Sequence, residues 1–206
     1  MNAVKKTVLT ALTAGCALLP VTSAAAGDTV LIPIPCSPEA LWLQADAPAF
    51  GITIPVMREQ FNRNNPLLPL REYKVVASND ITASYLRAAT RISPYIYSSA
   101  VLERDSEKIK SIQLTLLPGA DSTAEKNNRD LMLAYIKALI IQFEPTLNKS
   151  NIDAALSRAL ATDFKTGTYA SQFGALRYLL VVDSKNGVTF AIEPIKLSLS
   201  NSETAQ

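Results

Sequence analysis

Histidine is missing from all 206 residues, and that absence excludes more than any motif includes. A Ser-His-Asp triad, a Cys-His dyad and an imidazole metal site all need that side chain. Cysteine is nearly as scarce, at Cys16 and Cys36. Cys16 falls within the amino-terminal apolar run, so an exported chain keeps only Cys36. One cysteine can form neither an internal disulfide nor a cysteine-rich zinc site. The first reading of Cys36 is a small buried hydrophobe, and the sharper one is an unpaired thiol open to an intermolecular disulfide. No glycine-rich loop for phosphate and no Gly-x-Ser-x-Gly elbow occurs. No cofactor is expected.

What is present starts with an export signal. Lys5 and Lys6 precede an apolar stretch from Thr7 to Leu19, Pro20 breaks it, and small residues run from Ser23 to Gly27. Ala24-Ala25-Ala26 fits the small-x-small rule of a signal peptidase, with cleavage between Ala26 and Gly27. The competing cut places a lipidated Cys16 first. Ala14 and Gly15 suit it, but Thr13 stands where an apolar residue is wanted, and the apolar run continues past Cys16. As a membrane span the segment is poor, since threonines, a glycine and a proline interrupt the ~20 apolar residues required. The expected address is the periplasm, with lipid anchoring at Cys16 as the alternative. No integral membrane span is expected in the mature chain.

Removing residues 1–26 leaves 180 residues, enough for one domain with its own core. Two lysines and no acids leave with the signal, so the formal charge falls from +2 to zero. A neutral chain has no global field to draw nucleic acid, and none is expected as a partner.

Along the chain, residues 27–49 are rich in proline and read as an extended segment, with Leu41, Trp42 and Leu43 as a docking point. Residues 50–200 form the domain, and 201–206 a flexible tail. Pro55 opens a helix that buries Val56, Met57 and Phe61 and stops at Asn64-Asn65-Pro66. "REYKVVAS" reads as a short strand. Ser78-Asn79-Asp80 cap a helix on Ile81, Tyr85, Ala88, Ala89 and Ile92, ended by Pro94. Residues 95–117 read as a hairpin with "ERDSEK" at its charged tip, although the first arm could continue as helix. Two capping boxes follow. Ser122-x-x-Glu125 opens a helix that is apolar almost all round from Leu131 to Phe143, hence buried on most sides. Ser150-x-x-Asp153 opens an amphipathic one with Ile152, Leu156, Ala159 and Leu160 on its stripe.

The carboxyl end is the clearest element. "ALRYLLVV" and "VTFAIEPIKL" flank "DSKNG", whose Asn186-Gly187 supplies left-handed backbone. Pairing Val182 with Val188 puts Leu176, Tyr178, Leu180 and Val182 on one face with Val188, Phe190 and Ile192, and Arg177 opposite Glu193. The expected fold class is α+β, a single domain whose antiparallel sheet is built from hairpins, with helices packed on one face.

Each chemical candidate has a plain counterpart. Lys165-Thr166-Gly167 matches a triplet of penicillin-recognising serine enzymes, but their Ser-x-x-Lys is missing, and a helix-to-strand turn explains the glycine. Arg177 and Glu193 read by default as a cross-strand ion pair. The alternating charges of Glu103, Arg104, Asp105, Glu107 and Lys108 read as a solvated tip. No catalytic residue and no metal ligand is assigned. Trp42, Arg104, Lys108, Arg177 and Glu193 remain as a candidate interaction surface.

The stretches "REQFNRNNPLLPL" (58–70), "YSSAVLERDSEKIKSIQLTLLP" (97–118), "GALRYLLV" (174–181) and "GVTFAIEPIKLSLS" (187–200) resemble the YiiQ-like periplasmic proteins of enterobacteria, a domain family of unknown function. The resemblance implies an exported single domain of the same fold, and no reaction. Together these readings favour a non-enzymatic binding domain that meets a protein in the cell envelope. Two alternatives stand beside it: an envelope hydrolase working with acids or lysine, and a lipoprotein assembly or tethering factor.

Overall fold

A computed structural model describes residues 32–33, 47–76, 83–119, 122–148, 150, 152, 166–173 and 175–196. The expected signal and its expected cleavage site at Ala26 and Gly27, Cys16, Cys36, Trp42, the expected caps at 78–80, the expected helical stripe beyond Ile152, Lys165 and the tail lie outside the described residues. The frame is one antiparallel sheet. Its strands are β1 (Ile32–Pro33), β2 (Lys74–Val76), β3 (Tyr85–Arg91), β4 (Ile96–Glu103), β5 (Ile109–Leu116), β6 (Gly167–Phe173), β7 (Leu176–Asp183) and β8 (Gly187–Pro194), in the spatial order β1-β6-β7-β8-β5-β4-β3-β2. Two described helices, α1 (Ile54–Asn64) and α2 (Ser122–Phe143), complete the α+β fold.

The period-2 alternation of the strands decides which side of the sheet is core. Ile96, Ala100, Ile112, Leu114, Tyr178, Leu180, Phe190 and Ile192 share the helix-covered face, and all are buried. Ser98 shares this face and is fully buried; it hydrogen-bonds the Tyr73 hydroxyl at 2.6 Å and donates to the Gln113 carbonyl at 3.1 Å, so its own hydroxyl is satisfied. The buried Tyr178 hydroxyl on this face, by contrast, has no partner among the described residues. From α2 come Met132, Tyr135, Ile136, Leu139 and Ile140; from α1, Met57 and Phe61. Between Leu131 and Phe143 no residue is exposed, as an all-round apolar helix requires. Phe61 and Tyr135 stack with ring centroids 6.1 Å apart, joining the two helices. After α1, Asn62 clamps Leu70 by accepting from its N–H at 2.7 Å and donating to its carbonyl at 2.9 Å. The fully buried Leu70 is thereby fixed against the core.

Three sequence expectations change. The segment expected as a helix around Tyr85–Ile92 is the strand β3, paired with β4 along its whole length. Leu86, Ala88 and Thr90 face the core, and Tyr85, Arg87, Ala89 and Arg91 face away, so the helical spacing drew from both sides of one strand. Val56 is 46% exposed, because the buried stripe of α1 runs through Ile54, Met57 and Phe61 and leaves Val56 off its axis. At the last hairpin only Gly187 is left-handed, with φ 86°, whereas Asn186 is not. Asp183 builds that turn by accepting from the N–H groups of Lys185 and Asn186 at 2.7 and 2.8 Å. The expected register stands: Val182 pairs with Val188 and Arg177 with Glu193.

Candidate functional site

The sequence-nominated residues divide between two places. Arg104 and Lys108 sit in the β4–β5 turn, where Arg104 Nε donates to the Ala83 carbonyl at 2.6 Å and ties the turn to the start of β3. Lys108 is exposed, and its backbone bridges to Thr53. Arg177 and Glu193 are cross-strand partners at the same end of the sheet, on the face opposite the helices. Arg177 Nε donates to Glu193 Oε1. Glu193 is only 2% exposed, so it faces little solvent or partner. Burial pushes its carboxyl up to about 7 from an ordinary 4.5, and the Arg177 charge and hydrogen bond pull it back only in part. One step beyond the Ile112–Ile192 pair, Ser111 lies on the same face and is also buried. Among the described residues, Glu193 Oε2 and Ser111 Oγ have no hydrogen-bond partner. A carboxyl near 7 has the strength of a general acid, but this one is enclosed in the sheet.

At one edge of the sheet is an arrangement that sequence reasoning missed. Strand β2 is terminal in the sheet, and its three residues are all exposed. Val75 is 63% and Val76 49% exposed, large values for apolar side chains on a strand. Lys74 is level with Ala89 and Val76 with Arg87. On the face away from the helices, Arg87, Lys74 and Arg91 therefore stand at successive two-residue steps along the strand direction. That spacing is about 6.8 Å per step. The Arg87 guanidinium lies 5.5 Å from the centre of the Tyr85 ring, and that of Arg91 lies 5.8 Å from the Tyr97 ring, on the cross-strand partner. Cation–π contact holds both arginines along the sheet surface while leaving them exposed. Glu103, opposite Tyr85, is an acid at one margin of this row, and it accepts a hydrogen bond from Ser106.

Two further observations concern chemistry. Among the described residues, no group of three or more Asp, Glu or Cys side chains could hold a metal ion, and no helix is long and apolar enough to cross a membrane. Of the Lys-Thr-Gly triplet, Gly167 opens β6 and Thr166 is exposed just before it.

Comparison with known proteins gives a family of unknown function. A family model described as a protein of unknown function (DUF1454) matches residues 10–201. An uncharacterised protein, YiiQ of Escherichia coli K12, is 39% identical over 165 residues, which span 79% of this chain and 81% of that protein. No solved structure matches. With a match over nearly its whole length, the chain belongs to the DUF1454 family, as the resemblance of its β4–β5 and β7–β8 segments implied.

Proposed function

We propose that the chain is a periplasmic, non-enzymatic interaction domain that binds a protein partner in the cell envelope. The exposed edge strand β2 carries this reading: two valines in solvent, flanked by a row of cations, on the rim of a sheet whose helix-covered side is filled by its own core. Exposed apolar side chains framed by charge are the surface character of a contact site. Export rests on the signal-like residues 1–26. The hydrolase alternative loses its best acid, since Glu193 is enclosed and tied to Arg177.

The test is a photo-crosslinking side chain placed at Val75 or, as a control, at Leu67, which is 92% exposed in the loop after α1. The protein is expressed in its native host, and the envelope is fractionated. The expected result is a discrete protein adduct at Val75 and none at Leu67, on a chain from the soluble periplasm whose intact mass begins at Gly27. A cytoplasmic chain that retains residues 1–26, or adducts equal at both positions, would overturn the proposal. A chain starting at Cys16 with acyl mass would replace it with the lipoprotein reading.

A further inference from the structure

We infer that the free edge of β2 accepts an added strand from its partner, an extended segment that alternates acidic and apolar residues. The inference rests on the interaction reading above and names the partner's chemistry. Three observations set it. The first is the backbone: β2 pairs with β3 on one side, and among the described residues no strand pairs with it on the other. An edge strand presents main-chain donors and acceptors to any extended chain laid beside it.

The second is the repeat of charge. Arg87, Lys74 and Arg91 recur at the two-residue step of a strand, on one face. Carboxylates at alternate positions of an added strand would recur at the same step, about 6.8 Å, and on the same face. The third is the opposite face. Val75 is level with the core residue Ala88 yet 63% exposed, so the intervening positions of the added strand meet an apolar side chain. Acidic residues on the side of Lys74, where Val76 also stands, and apolar residues on the side of Val75 complement this edge.

The charge row also argues against the obvious rival, a second copy of this chain pairing edge to edge. That arrangement would put Lys74 on adjacent strands, with the arginines of each copy one strand further in, and like charges gathered in this way are destabilising. Lysine on an edge strand is a recognised barrier to self-pairing. The edge is thus closed to itself and open to an acidic strand.

The test uses the full exported chain and a short synthetic peptide alternating valine with glutamate, followed by fluorescence anisotropy. Controls are the same peptide with lysine for glutamate, and the glutamate peptide with alternate amides N-methylated to block strand pairing. The expected result is salt-sensitive binding of the glutamate peptide alone. Reversing both arginines, Arg87→Glu with Arg91→Glu, should weaken it about tenfold. Lys126→Glu, on the exposed start of α2, should leave it unchanged. Thermal melts confirm that each variant is folded, and the N-methylated control needs no variant at all. Equal binding of the N-methylated peptide would overturn strand addition, and equal binding of the lysine peptide would overturn the charge match. Binding by none of the peptides would leave the cations as a guard against self-pairing, also overturning the inference. If the Val75 crosslinker still captures a protein in that case, the interaction reading survives and only the partner chemistry falls; an empty Val75 crosslink removes both.

Discussion

Glu193 is held by opposing forces. Enclosure in the sheet favours its neutral form, and Arg177 favours its charged form; enclosure wins, and the carboxyl rises to about 7. In the unfolded chain it titrates near 4.5. Between those values the folded protein holds more protons than the unfolded one, so stability falls as pH rises through the interval and levels off above it. Each pH unit of the interval is worth at most about 1.4 kcal/mol from this one group. Glu193→Gln, which keeps the shape and removes the titration, should flatten the fall. Denaturant midpoints of both proteins across that range are the check, and parallel curves would refute the assignment. The Arg177–Glu193 pairing was legible because a hairpin with one apolar face admits one register. The enclosure of Glu193 was not, because burial on the second face of a sheet depends on what covers it.

At the scale of elements, the turn between β7 and β8 does two jobs. Gly187 takes φ 86°, and a Cβ built there would lie 2.0 Å from the Leu116 carbonyl oxygen on β5. The hairpin thus needs glycine both for its own backbone and for its approach to the next strand. Gly187→Ala should cost more than about 2 kcal/mol, measured by thermal or denaturant unfolding, since backbone strain and a backbone clash add. A loss below about 0.5 kcal/mol would mean that the turn and β5 can move apart. This hairpin, the β4–β5 hairpin and both described helices could be read from alternation, turn residues and capping. Strand β3 could not. Tyr85, Ala88, Ala89 and Ile92 satisfy a helical period as well as Leu86, Ala88 and Thr90 satisfy a strand period, and pairing with β4 settles the matter. Strand β6, "GTYASQF", has too few apolar residues to announce itself and is defined by its ladder with β7. Because the cation row exists only when β3 is a strand in register with β2, misreading β3 hid the candidate site.

For the whole molecule, the eight-stranded sheet divides its labour. Its centre, β4, β5, β7 and β8, buries side chains against α1 and α2, while its rim at β2 leaves valines and cations in solvent. A domain of this size gains its stability from the first arrangement and has no structural need for the second. The proposed exported binding domain, with β2 as its working edge, would account for both. Hydrogen–deuterium exchange of the full chain, compared in buffer and in concentrated soluble envelope extract of its host, tests that most directly. The expected result is protection gained at Lys74–Val76 and along Tyr85–Arg91, with α2 and the β7–β8 hairpin unchanged. Unchanged exchange at β2, or protection gained on another face, would contradict it.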